Sequence, residues 1–156
     1  MNKQKIIGVI FAAIISLTAC QNIDKPAAEP VPADVTAAVM SEVELMSPAE
    51  KDLETIGAYY TDLDTLSVAD MSVYVCGSGA YPDEIAVIKF KDADAAESGF
   101  EAVKSRYDSM VTTFIDYTPD EMYKLDSAVL EKKGNYVIFI ASADNAKAQT
   151  IADGKF

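Results

Sequence analysis

The stretch FEAVKSRYDSMVTTF, residues 100–114, decides the fold class because its apolar residues follow a helical period. They recur at spacings of three and four, which places one apolar stripe along a helix, at Phe100, Val103, Tyr107, Met110, Val111 and Phe114. Charged residues occupy the other faces, at Glu101, Lys104 and Asp108. Asp92 or Asp94 precedes the pattern and is a suitable N-terminal cap. We therefore predict a long amphipathic helix that packs on other elements through one face.

Strand patterns lie on both sides of this helix. Before it, residues 71–76 are rich in β-formers, and residues 84–91 alternate between two faces. After it, residues 128–133 and 136–141 flank Gly134-Asn135, a dipeptide that favours a type II′ hairpin turn. The last of these segments, YVIFIA, is apolar on both sides, which is typical of a central strand.

Other segments predict shorter helices. Residues 34–46 have an approximate apolar face, and SPAE at residues 47–50 matches a capping box with proline at the first helical position. TPDE at residues 118–121 is a second such box, and Ser142 or Asp144 can cap a last helix through Ile151.

These elements predict one α+β domain. Their order is roughly α-α-β-β-α-(α)-β-β-α, with the parenthesised helix short. Strands joined by hairpins favour a small four-stranded, largely antiparallel sheet, with the helices packed on one face.

The N-terminus has the pattern of an export signal. Residues 1–5 are basic, residues 6–19 are uncharged and largely apolar, and LTAC at residues 17–20 resembles a bacterial lipobox. The apolar run is shorter than the about 20 residues that span a bilayer. We predict a signal peptide over residues 1–19, a diacylglyceryl group on Cys20 that anchors the protein to the membrane, a proline-rich tether over residues 20–33 and one domain over residues 34–156.

Charge and composition exclude several classes of function. The net charge is −12, with 13 basic and 25 acidic residues, so the surface repels nucleic acid and anionic lipid. There is no histidine, which removes the commonest general base near neutral pH and the commonest metal ligand. We predict no nucleic-acid partner, no cofactor, no metal and no catalytic residues.

Two motifs invite a chemical interpretation that the sequence does not support. CGSG at residues 76–79 lacks the nucleophile-elbow pattern, and with Cys20 acylated, Cys76 has no intrachain partner. We interpret Cys76 as structural. The acidic clusters Asp62–Asp64 and Asp92–Glu97 do not continue into a calcium loop, and turn formation and helix capping explain them.

Arg106 is the single arginine of the chain and lies within the long helix. It could clamp a carboxylate or phosphate, or simply pair with one of the 25 carboxylates. Lys89 and Lys91, on one strand face, could join it in a basic spot, so these three residues are our candidate ligand-binding residues. The tyrosines at element ends could instead line a groove for a glycan or a peptide: Tyr59, Tyr60, Tyr81 and Tyr117.

Four segments in order resemble a family of bacterial extracytoplasmic lipoprotein domains known as domain of unknown function 4358. The segments are GAYYTDLD (57–64), DEIAVIKFKDADAAE (83–97), SRYDSMVTTFIDYTPDE (105–121) and GNYVIFIAS (134–142). The residues that resemble the family's pattern are Glu84, Lys89, Asp92, Arg106, Phe114, Tyr117 and Tyr136. The resemblance implies an extracytoplasmic domain typical of low-GC Gram-positive bacteria, and it implies no activity.

From these observations we predict a non-enzymatic lipoprotein on the outer face of the cytoplasmic membrane, whose domain binds an envelope protein or another envelope ligand. Two alternatives remain open at this stage. One is a small extracytoplasmic enzyme that uses a pair of carboxylates facing one groove. The other is a structural envelope protein without a ligand.

Overall fold

A computed structural model describes residues 29–156, which fold into four α-helices and five strands. In chain order these are α1 (Pro32–Met40), β1 (Pro48–Lys51), β2 (Val68–Cys76), β3 (Glu84–Phe90), α2 (Ala93–Tyr117), α3 (Tyr123–Asp126), β4 (Val129–Lys133), β5 (Tyr136–Ala141) and α4 (Asn145–Asp153). The predicted signal peptide, the predicted lipid site at Cys20 and tether residues 20–28 lie outside the described residues.

The strands form one antiparallel sheet in the order β1-β2-β3-β5-β4. The two apolar strands β3 and β5 are neighbours near its centre, with Ile85 opposite Ile140 and Val87 opposite Ile138. The α+β class and the antiparallel pairing are confirmed. The predicted number of four strands is wrong, because β1 adds a fifth at one edge.

Helices cover both faces of the sheet, so the prediction that they pack on one face is wrong. On one face, Ala86, Ile88 and Phe90 of β3 pack in a core with α2. On the other face, Ile85 and Val87 pack in a second core with α1 and α4. The physical reason is the composition of β3 and β5: strands that are apolar on both sides need cover on both sides.

Residues 48–60 do not form the helix that their capping box predicts. Pro48–Lys51 is an edge strand, in which Ala49 lies opposite Val75 of β2, and a short 3₁₀ turn follows at Ile56–Ala58. Proline at the first position of an edge strand removes no ladder hydrogen bond that the sheet needs. Pairing with β2 therefore outweighs the local helical preference of the segment.

The long helix α2 confirms the central sequence prediction. Asp92 caps it by accepting a hydrogen bond from the backbone N–H of Ala95 (2.8 Å). Phe90 packs end-on against Gly99, where an added Cβ would lie 2.0 Å from the ring. Only glycine permits this approach, which fixes α2 tightly on β3.

The turns and short helices follow the predictions in part. Gly134 has φ +59° and starts the β4–β5 turn, as predicted for a type II′ hairpin. Asp144 caps α4 by accepting from Lys147 N–H. Thr118 makes no side-chain cap, although a 3₁₀ turn (Pro119–Glu121) and α3 do follow it. Helix α1 begins at Pro32, inside the predicted tether, and ends at Met40, six residues before the predicted end.

The described chain enters the domain at one end of the sheet. Glu29 forms an ion pair with Lys89, and the carbonyl of Pro30 accepts a hydrogen bond from the Tyr136 hydroxyl (2.9 Å). Glu84 lies at the opposite end of β3, five residues or about 17 Å away. Within residues 29–156, none of the helices has the length and apolarity needed to cross a membrane.

Candidate functional site

An ion pair between Glu84 and Arg106 lies where β3 begins and α2 passes over it. Arg106 Nη2 donates to Glu84 Oε2 (2.7 Å), and Nε donates to the same oxygen (3.2 Å). Glu84 is fully buried, whereas the Arg106 side chain keeps 21% of its surface exposed. Burial alone would lower the pKa of Arg106, but the charge of Glu84 and its hydrogen bonds raise that pKa above its usual value. Arg106 therefore stays charged.

Tyr60 completes this cluster from the other side. Its hydroxyl donates to Glu84 Oε1, and its ring is almost fully buried. Burial, and then the negative charge of Glu84, raise the pKa of Tyr60 well above its usual range. The phenol therefore remains a neutral donor, and both oxygens of the buried carboxylate have partners.

A groove of about 220 Å³ opens beside Arg106, and we call it the Arg106 groove. Val75, Met110 and Phe114 form its apolar walls, and Tyr59 and Tyr81 form an aromatic rim. The guanidinium lies 5.5 Å from the ring centroid of Tyr59, a cation–π distance. The groove thus combines apolar surface with one well-positioned charged group, as ligand sites commonly do.

Arg106 retains donors that the protein does not use. Glu84 occupies the side of the guanidinium that carries Nε and one Nη2 hydrogen. Among residues 29–156, no acceptor bonds to Nη1 or to the second Nη2 hydrogen. These hydrogens form the fork that binds a carboxylate through two parallel hydrogen bonds. Arg106 can therefore bind an incoming acceptor without giving up Glu84.

A second buried pair forms at the neighbouring residue, Asp83. Lys124 Nζ donates to Asp83 Oδ2 (2.7 Å) and also pairs with Glu121 (2.7 Å). The other oxygen of Asp83 accepts from the backbone N–H of Met46 (3.1 Å). Burial lowers the pKa of Lys124, but the hydrogen bonds of Asp83 and Glu121 raise it more, so the net shift is upward.

A cavity of about 290 Å³ lies beside Lys124, and we call it the Lys124 cavity. Its lining includes Glu44, Glu121 and Tyr123. It shares Tyr81 and Asp83 with the Arg106 groove, so these two residues lie between the two depressions. The Tyr81 ring lies 5.6 Å from Lys124 Nζ. A single loop, residues 77–83, therefore forms part of both.

Cys76 lines the Arg106 groove but is mostly buried. Burial raises the pKa of its thiol, and hydrogen bonds from the Ser78 hydroxyl and the N–H groups of Tyr81, Ser78 and Ala80 outweigh that effect, so the net shift is downward. The thiol and the Ser78 hydroxyl are 3.2 Å apart. Cys76 thus lies at the end of β2, at the base of the loop that follows it.

The three candidate binding residues do not lie together. Lys89 points to the face of the sheet opposite Arg106, where it pairs with Glu29 and lies 5.5 Å from the Tyr136 ring. Lys91 is exposed just after β3, at the same end as Lys89. The alternation of β3 separates Lys89 from the residues that contact α2. Only Arg106 of the three lines the groove.

The acidic clusters have structural partners. Asp62 accepts from the Ser105 hydroxyl (2.9 Å), and Asp64 caps a 3₁₀ turn by accepting from Leu66 N–H. Asp92 caps α2, as predicted. In the part of the chain that the structure describes, no group of three or more acidic or sulfur ligands is arranged to hold a metal ion.

Together these features define a three-layer α+β domain with a central antiparallel sheet and two adjoining surface depressions at one end of it. The chain belongs to the family described as Domain of unknown function (DUF4358), which matches residues 41–142. The matched region contains both buried ion pairs. No curated protein and no solved structure gives a significant match.

Of the tyrosines proposed for a groove, Tyr59 and Tyr81 line the Arg106 groove, whereas Asp83 and Lys124 were not singled out from the sequence. Asp83 and Glu84 are two successive acids where a mostly apolar strand begins, and this position is the one local signal that they are buried. Their partners lie 22 and 41 positions away along the chain. Sequence spacing carries no information on such contacts.

Proposed function

We propose that this protein is a lipid-anchored, extracytoplasmic lipoprotein whose domain binds a ligand of the cell envelope in the Arg106 groove, without catalysis. The observation that carries the proposal is the guanidinium of Arg106, which is fixed by Glu84 and Tyr59 and keeps unused donors at a groove with apolar walls.

The position of the groove supports this proposal. The chain enters the domain beside Lys89, whereas the groove lies at the Glu84 end of the same strand. A lipid on Cys20 would hold the Lys89 end towards the membrane. The groove would then face away from the bilayer, where wall components and other exported proteins are found.

The states of the two buried acids favour binding over catalysis. A carboxylate pair that cleaves a glycosidic bond needs one group free to give a proton and another free to attack or activate water. Here Glu84 is committed to Arg106 and Tyr60, and Asp83 is committed to Lys124.

The anchor is tested by feeding an alkyne-tagged fatty acid to bacteria that express the full-length chain. The wild type should incorporate the label and sediment with membranes. The Cys20→Ala variant should incorporate no label and should leave the membrane fraction. Equal labelling of the two proteins would show that Cys20 is not the lipid site.

The groove is tested by mixing the purified full-length protein, in detergent, with isolated cell-wall material. Wild type should co-sediment, and Arg106→Met should lose most of this binding because the free guanidinium fork is gone. Lys104→Met is the matched control, since Lys104 lies on the exposed face of the same helix and, among residues 29–156, pairs only with Asp108. If both variants bound as well as wild type, the groove would not be the binding site.

A further inference from the structure

We propose that the Arg106 groove and the Lys124 cavity form one continuous site for a short peptide with free ends, with its carboxylate at Arg106 and its ammonium group in the Lys124 cavity. This inference rests on the proposed binding function and specifies the chemistry of the ligand.

The two depressions are of a size to act together. Each is small alone, at about 220 and about 290 Å³, but together they reach the range of about 300–1,000 Å³ typical of small-molecule sites. Tyr81 and Asp83 line both, so the two depressions adjoin at these residues. An extended peptide advances about 3.3 Å per residue, so a peptide of two or three residues is about 7–10 Å long, a length suited to two adjoining depressions.

The Arg106 side has the chemistry of a carboxylate clamp. The unused Nη1 and Nη2 hydrogens form the end-on fork of the guanidinium, which matches the two oxygens of a carboxylate. Glu84 holds the other edge, so the fork is fixed before any ligand arrives. Beside the fork, Met110 and Phe114 provide apolar surface for the side chain of the residue that carries the carboxylate.

The Lys124 side has the opposite preference. Glu44, Asp83 and Glu121 contribute three carboxylates to its lining. Of the lining residues only Lys124 is basic, and its Nζ is buried between two of those carboxylates. A negative charge therefore remains in excess at the lining of this cavity. An ammonium group is attracted to this negatively charged cavity more strongly than a carboxylate or an uncharged sugar is.

The test uses calorimetry on the full-length protein in detergent with three probes: Ala-Ala-Phe with free ends, its N-acetyl form and its C-terminal amide. The free peptide should bind best. The amide should bind roughly 10-fold or more weakly, since it loses a charge-assisted bidentate contact. The acetylated peptide should bind about 2- to 5-fold more weakly, since it loses an attraction between exposed charges.

Matched variants assign each end of the peptide. In Arg106→Met the difference between acid and amide should vanish, while the difference between free and acetylated peptide persists. In Glu44→Gln the reverse should hold, and this exposed residue can change without disturbing the core. Equal binding of all three peptides to wild type, or no binding of any, would overturn the peptide assignment.

Two further comparisons identify the source of the peptide and distinguish failure of the peptide assignment from failure of the proposed binding function. The same probe with a D-residue at its C-terminus represents peptide fragments released from the cell wall, and the L form represents peptides released from proteins by proteolysis; stronger binding of either one names the source. If wall material binds in an Arg106-dependent way while none of the peptides binds, the peptide assignment is wrong and the groove remains the binding site. If neither binds, both proposals fail.

Discussion

Asp83 and Glu84 are neighbours in sequence, both are buried acids and both pair with a cation, yet their surroundings differ. The cation partner of Asp83, Lys124, has 4% of its side chain exposed and is held by a second carboxylate. The partner of Glu84, Arg106, keeps 21% exposed and has donors to spare. The first pair is closed and joins parts of the fold; the second is open and faces a groove. Burial of a charge is thus compatible with a structural role or a binding role, and the unused donors tell them apart.

The largest expected effect comes from breaking the closed pair. Lys124→Met leaves Asp83 buried without its charge partner, so we expect a loss of about 3–5 kcal/mol in the free energy of unfolding. Urea denaturation monitored by circular dichroism measures this loss. The same substitution at Lys104, in an exposed pair, should cost less than about 0.5 kcal/mol. A loss at Lys124 as small as the loss at Lys104 would mean that the pair is not closed.

Breaking the open pair should cost less. In Arg106→Met, Glu84 keeps the Tyr60 hydroxyl and water can reach the carboxylate through the groove, so we expect a loss of about 1.5–3 kcal/mol. The same urea titration measures it, and wall binding should be lost at temperatures where the variant is folded. If Arg106→Met destabilised the protein more than Lys124→Met does, the contrast between the pairs would be reversed.

The sequence predicts part of this structure. The period of residues 100–114 predicts α2, and the placing of Asp92 predicts its cap, because both signals are local. Residues 48–51 were predicted as helix because local propensity cannot reveal that β2 needs an edge partner. As the sole arginine, Arg106 stands out in the sequence, but the sequence does not show which of the 25 carboxylates is its partner, because that depends on how the sheet and α2 pack.

The free energy of unfolding should decrease at alkaline pH because Tyr60 donates a hydrogen bond to Glu84. The pKa of Tyr60 is raised in the fold, so above about pH 10 the unfolded state loses this proton while the folded state retains it. Stability is therefore fully present below pH 10 and falls above it, by about 1.4 kcal/mol per pH unit for this one group. Urea titrations between pH 8 and 11 measure the slope.

Tyr60→Phe is the matched variant for that experiment. It lacks the ionisable hydroxyl, so its stability should fall less steeply above pH 10 than that of the wild type. Parallel slopes for the two proteins would show that the Tyr60 hydroxyl is not held as a neutral donor to Glu84.

The smallest net change in stability is expected when the open pair is removed as a whole. Glu84→Met combined with Arg106→Met leaves no unpaired buried charge, so its stability should return to within about 1 kcal/mol of the wild type. Wall binding should stay absent, because the donors are gone. A stable double variant that still binds would assign the binding to some other part of the surface.

By itself the sequence determined the elements whose signals are local: the amphipathic helix, the caps at Asp92 and Asp144, the β4–β5 hairpin and the apolar central strands. It also carries the export signal pattern and the resemblance to the family. Only the tertiary structure decided that helices cover both faces of the sheet and that Pro48–Lys51 is a strand. It also decided that Glu84 pairs with Arg106 and that Asp83 pairs with Lys124. Such pairings depend on which residues the packed chain brings within about 3 Å of each other while excluding water, and that is a property of the whole fold.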